Sequence, residues 1–147
     1  MKIYTLDSNV WIPRPIEEVF SFFSDAHNLE AITPPWLHFS TVTPGPIVLG
    51  VGTRFEHRLR VRGIPVHWES EITAWERPHR FVDEQRRGPY RLWRHEHRFC
   101  ARDNGTEVAD HVRYAVLGGS LVNRLVVAPD LRKVFDYRRR ALLERFR

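Results

Sequence analysis

From Thr53 to Arg62 the chain alternates with few interruptions: Phe55, His57, Leu59 and Val61 fall on one side, and Arg54, Glu56, Arg58, Arg60 and Arg62 on the other. Side chains of a strand point alternately to opposite faces, so this is one strand of an antiparallel sheet with one dry and one wet face. The pattern recurs. In Ile64–Glu76, Val66, Trp68, Ser70, Ile72 and Ala74 oppose His67, Glu69, Glu71 and Thr73. In Tyr90–Cys100, Trp93, His95, His97 and Phe99 oppose Arg94, Glu96 and Arg98. Val108, Asp110, Val112, Tyr114 and Val116 then alternate with Glu107, His111 and Arg113. Ile3–Ile12, Trp36–Thr43 and the short Arg80–Arg86 complete a first strand plus six more, separated by Pro44-Gly45-Pro46, Gly63, Pro78, Arg87-Gly88-Pro89 and Asp103-Asn104-Gly105. The last of these is a strong hairpin signal.

Helical spacing appears in only a few places. Ile16, Val19, Phe20 and Phe23 define a short helix after Pro13 and Pro15, with Glu17 and Glu18 in its first turn. Asp25 is placed to cap a second short turn, His27–Ile32, which Pro34-Pro35 ends. Leu121–Val127 offers a first helical segment before Pro129. The long signal is the C-terminal run, where Leu131, Val134, Phe135, Leu142 and Phe146 share one face. Asp130 is expected to cap it, Pro129 to mark its start, and Arg138, Arg139, Arg140 and Arg145 to crowd the end favoured by the helix dipole. Burying its large apolar side chains is worth at most roughly 10 kcal/mol, so the helix must lie on the sheet. The expected architecture is α+β: a meander of antiparallel strands covered on its apolar face by one long helix.

Several segments together resemble the helix-grip (SRPBCC) superfamily of START lipid-transfer domains, birch-pollen-allergen-like proteins and aromatic polyketide cyclases/dehydrases. They are the opening strand closed by Ile12-Pro13-Arg14-Pro15, the helix Ile16–Asp25, His27-Asn28-Leu29-Glu30, and Glu71–Glu76 leading into Pro78-His79-Arg80-Phe81. Gly105-Thr106-Glu107-Val108 and Phe135–Arg139 complete the set. The resemblance implies one START-like ligand-binding domain over residues 1–147. Its curved seven-stranded sheet would wrap around the C-terminal helix, with two short helices after the first strand and a cavity between sheet and helix. Members of the superfamily include both ligand carriers and enzymes, so fold alone selects neither.

Composition narrows the classes. Apolar residues make up 42% and aromatic residues 12% of the 147, a globular balance. No run is long and apolar enough to span a bilayer, and the start carries no secretory h-region. Cys100 is the lone cysteine, which excludes an internal disulfide and makes the cytoplasm the expected location. The net charge of +5 permits an acidic partner. The arginines, however, alternate with glutamates on strands, and no groove-entering or RNA-binding signature is present, so no nucleic-acid partner is expected.

The candidate chemistry lies where polar residues interrupt the dry face: His57, Ser70, His95, His97 and Asp110, with Asp83 on a strand too short to fix its parity. Buried, they need partners. A structural network of His57 or His97 with Asp110 is one reading, recognition of a ligand's polar end another, and acid–base catalysis by a histidine–carboxylate pair a third. The catalytic candidates are His57, His95, His97 and Asp110; a metal pair at His95-x-His97 would need a third ligand from His57 or Asp110, and neither a metal nor an organic cofactor is expected. The expected ligand is a small apolar or amphipathic molecule such as a lipid, a polyketide or another aromatic. It would touch Phe55, His57, Leu59, Trp68, Ser70, Trp93, His95, His97, Tyr114, Leu131 and Phe135, with Ile47-Val48-Leu49 either a lid or a loop tucked against the second short helix. A cyclase/dehydratase using the same cavity is the alternative. No oligomeric state is specified.

Overall fold

The computed structural model describes residues 1–147, with strands β1 (Tyr4–Ile12), β2 (Ser40–Thr41), β3 (Arg54–Val61), β4 (Ile64–Glu76), β5 (Arg80–Arg87), β6 (Leu92–Arg102) and β7 (Gly105–Ala115). They form one curved antiparallel sheet of seven strands in the order β1-β7-β6-β5-β4-β3-β2. Successive strands from β2 to β7 are neighbours, and β1 lies beside β7, so the first strand closes the far edge. Helix α1 (Ile16–Phe23) follows β1 and buries Val19, Phe20, Phe22 and Phe23. A 3-10 helix at Ala26–Ile32 is capped by Asp25, whose side chain accepts from the His27 amide, and a second occupies Pro35–Leu37. The chain ends with α2 (Gly119–Val122), a π turn (Asn123–Val127) and α3 (Ala128–Arg145). No helix is long and apolar enough to cross a membrane.

The hairpin turns follow from local chemistry. Asp103 and Asn104, at φ 49° and 61°, make the two-residue connection between β6 and β7. Arg62 and Gly63, at φ 50° and 81°, do the same between β3 and β4. Arg62 then reaches across to the start of α3, its Nε and Nη2 each 2.9 Å from a carboxylate oxygen of Asp130.

Three sequence expectations are corrected. The alternation of Trp36–Thr43 is not a full strand: Pro35–Leu37 coil into a 3-10 turn and His38 turns left-handed at φ 47°, leaving only Ser40–Thr41 to pair with β3. In β4, the register shifts between Ile72 and Ala74, so Trp75, opposite Phe81, faces the core in place of Ala74. Pro129 stands in the first turn of the last helix, as expected, but the chain before it stays helical. The Ala128 amide bonds to Asn123 O, five residues back, and this π turn accommodates a proline that can neither donate nor tolerate a normal α turn before it. Asp130 caps nothing; the cap position is Val127, and the Asp130 carboxylate is engaged by Arg62.

The wet face is a ladder of ion pairs, including Arg54 with Glu69 and Glu71, and Arg80 with Glu96. The dry face holds two apolar clusters. The larger joins α1, Phe55, Ile72, Phe81 and Phe99 to Leu142 and Phe146 at the end of α3. The smaller joins Trp93, Val112 and Tyr114 to Leu131 and Phe135 near its start. Ile47 and Leu49 belong to the larger cluster, so that loop is tucked in, with Val48 bridged to Asp25 and its side chain 86% exposed.

Candidate functional site

Between sheet and helix lies a cavity of about 910 Å³. Phe55, His57 and Leu59 from β3, Trp68 and Ser70 from β4, and Trp93, His95 and His97 from β6 form its sheet side. Leu131 and Phe135 of α3 face them, while Trp36, Leu37 and Phe39 of the loop after the first 3-10 helix close one end. Every residue expected from the alternation to line it does so except Tyr114. That side chain has the expected parity, but the π turn covers it: Tyr114 is 2% exposed and its hydroxyl donates to Asn123 Oδ1 at 2.9 Å. Asp110 also stays off the wall, lying behind the two β6 histidines.

The polar floor is a chain of hydrogen bonds from helix to sheet. Arg138 Nη2 lies 3.2 Å from Asp110 Oδ1 and 3.4 Å from His97 Nδ1. A guanidinium only donates, so Nδ1 of His97 accepts and its Nε2–H donates to Asp83 Oδ2 at 2.6 Å. His95 Nε2 donates to the same Asp110 oxygen at 2.7 Å, which leaves Nδ1 of His95 toward Asp83, 3.9 Å away. Of the expected partners of Asp110, His57 and His97, the register sets His97 directly opposite it, with Nδ1 3.5 Å from the same oxygen, while the short bond comes diagonally from His95, which is paired with Val112. The β6 imidazoles stack on each other at 3.7 Å, and His97 stacks on Phe81 at 4.0 Å. This stacking fixes both rings.

Burial pushes Asp110 up, but the Arg138 guanidinium and the His95 hydrogen bond outweigh it and hold the carboxyl well below its usual range. Asp83 is raised by burial, which its nearby cations and imidazoles only partly offset. Burial, reinforced by His95 and Arg138, keeps His97 well below 6.5 and therefore neutral.

His57 stands apart. Its ring packs between Phe39 and Phe55, and its buried Nδ1 has no hydrogen-bond partner. Burial lowers its pKa to about 4, so it presents a neutral imidazole to the cavity.

One member of the floor, Arg138, is not among the candidates read from the sequence, and a second, Asp83, is left open there. Arg138 was grouped with the exposed terminal arginines, yet it is only 9% exposed. It falls between Phe135 and Leu142 on the apolar stripe, and that spacing was the available signal. Asp83 is fixed by pairing: it lies opposite both Ile72 and His95, two inward residues, so it faces inward as well.

Residues 5–147 match the family described as polyketide cyclase/dehydrase and lipid transport. No curated protein sequence matches the chain. Among solved structures, protein CV1439 from Chromobacterium violaceum is similar with a TM-score of 0.75 at 11% identity, covering 97% of each chain. Ginseng major latex-like protein 151 from Panax ginseng gives 0.73 at 12% identity, over 98% of this chain and 97% of that one. Protein Ms6760 from Mycobacterium smegmatis gives 0.70 at 17% identity, over 97% and 94%. At these identities the likeness is one of fold.

Proposed function

The chain belongs to the polyketide cyclase/dehydrase and lipid transport family, and from that premise we propose that residues 1–147 act as one domain binding a single amphipathic small molecule. Its apolar body lies against Trp68, Trp93, Leu59, Leu131 and Phe135, and its polar end meets His57, Ser70, Asp83 and His95. The observation that carries this reading is an apolar cavity of about 910 Å³ with its polar groups gathered on one floor, the usual form of a small-molecule site. The lone, exposed thiol of Cys100 supports a reducing, cytoplasmic setting. Titration with the fluorescent probe N-phenyl-1-naphthylamine tests it. One saturable site is expected, together with a co-purifying molecule in native mass spectrometry. A probe that never saturates, on a protein that carries no cargo, overturns the reading.

A second reading is favoured by the 2.7 Å bond between His95 and Asp110. The carboxylate would orient the imidazole and stabilise its protonated form while Nδ1 takes a proton from carbon beside a carbonyl, as a cyclase/dehydratase requires. Asp110→Asn separates the two: lost turnover with probe binding intact supports the enzyme, whereas a wild-type protein without turnover on aromatic polyketide substrates leaves the carrier.

A further inference from the structure

The floor of the cavity has a second chemical identity that does not depend on any organic ligand. The ligand-bearing atoms of Asp83, His95 and His97 all lie within 4.8 Å of one another. We propose that these three residues bind one first-row divalent cation, of the zinc or cobalt type, through Asp83 Oδ2, His95 Nδ1 and His97 Nε2.

The spacing of the ligand atoms is near what such an ion requires. Bonds of about 2.0–2.1 Å in a tetrahedral site separate the ligand atoms by about 3.4 Å. The separations from Asp83 Oδ2, 2.6 Å to His97 Nε2 and 3.9 Å to His95 Nδ1, bracket that value. Asp83, the least buried of the three with 17% of its side chain exposed, must draw back, and the stacked imidazoles, 3.7 Å apart and 23° from parallel, must fan apart so that their in-plane lone pairs meet at the ion.

A second, independent feature points the same way. Metal-bound histidines almost always donate their other nitrogen to a carboxylate or carbonyl that fixes ring and tautomer. Here a single oxygen, Asp110 Oδ1, serves both rings: it is 2.7 Å from His95 Nε2 and 3.5 Å from His97 Nδ1. On binding, the His97 proton moves from Nε2 to Nδ1, where Asp110 accepts it, and Arg138 keeps its own 3.2 Å contact with that carboxylate. No proton is gained or lost at His97.

The charges agree with this arrangement. Asp110 and Arg138 neutralise each other, and Asp83 has no cationic side chain within ion-pair distance other than a protonated histidine. A dication supplies the missing counter-charge. Its remaining coordination positions face the cavity, so an oxygen of the bound molecule could complete the shell and be polarised there.

The experiment is Co2+ titration of the metal-free full-length chain, followed by visible absorption, with Zn2+ competition. The wild type is expected to bind one equivalent with the intense spectrum of a low-coordinate site. Asp83→Ala should abolish that spectrum, and Asp110→Asn should weaken affinity about 10–100-fold with the spectrum retained. The surface pairs His67–Glu56 and His111–Asp7 are the competing adventitious sites. Circular dichroism confirms that each variant is folded. If Asp83→Ala fails to fold, Asp83→Asn and His95→Gln must each remove the signal. A wild type showing only the pale spectrum of octahedral, hydrated cobalt overturns the proposal, as does binding that survives Asp83→Ala but is lost in His67→Ala or His111→Ala. Because no organic probe is used, either outcome leaves the amphipathic-ligand reading standing or falling on its own titration.

Discussion

Arg138 Nη2 and Asp110 Oδ1, 3.2 Å apart, join the middle of the terminal helix to the inner face of β7. Both side chains are nearly buried, at 11% and 5% exposure. Breaking such a pair from one side strands a charge in a poorly solvated place. Arg138→Met is therefore expected to lower unfolding free energy by about 3–5 kcal/mol in urea titration. Adding Asp110→Asn to it should recover part of the loss, because the stranded carboxylate disappears. A loss under about 1 kcal/mol would mean that solvent replaces the guanidinium.

The wet face should respond differently. Glu71 accepts from both Arg54 and Arg86, but those guanidinium groups are 59% and 39% exposed. Exposed pairs contribute about 0–1 kcal/mol each. Glu71→Gln is expected to leave the urea midpoint close to that of the wild type, and a loss comparable with Arg138→Met would refute the contrast.

His57 gives the clearest pH signature. Its folded pKa, about 4, lies below the ordinary 6.5, so between these values the unfolded chain takes up a proton that the folded chain does not. Stability is complete above pH 6.5 and falls as pH drops toward 4, by on the order of 3 kcal/mol from this group. His57→Phe should remove that part of the acid dependence. At neutral pH it should raise stability, since an unpaired buried Nδ1 costs about 1–3 kcal/mol. Equal acid slopes in the two proteins would overturn the assignment. A stabilising replacement that weakens ligand binding would mark His57 as a residue kept for recognition.

Leu59→Trp extends a wall residue into open cavity, where space already exists. Naphthylamine-probe affinity is expected to fall at least about tenfold while stability stays within about 1.5 kcal/mol. Unchanged affinity would place the probe outside the cavity.

Much of this was legible in the chain itself. A period of two placed Phe55, His57, Leu59, Trp93, His95 and His97 on one face, and the structure keeps all six there. The failures have local causes. Ala74 was assigned inward because alternation carries no record of a bulge, and the shift between Ile72 and Ala74 reverses the parity. Arg138 was missed because charge was given more weight than position on the stripe. Tyr114 was placed correctly in the sheet but not beneath the π turn, whose existence depends on how Pro129 is accommodated. The turn at Asp103-Asn104 sets His97 opposite Asp110, but the short bond runs diagonally from His95, and such a diagonal contact depends on side-chain direction that alternation does not record.

The clasp between Arg62 and Asp130 has a consequence for traffic in and out of the interior. Both residues line the cavity, and with 58% and 33% of their side chains in water the clasp is a weak one. Parting these two side chains breaks no strand pairing. Dissolved ions, by screening that one attraction, set how often the door stands ajar.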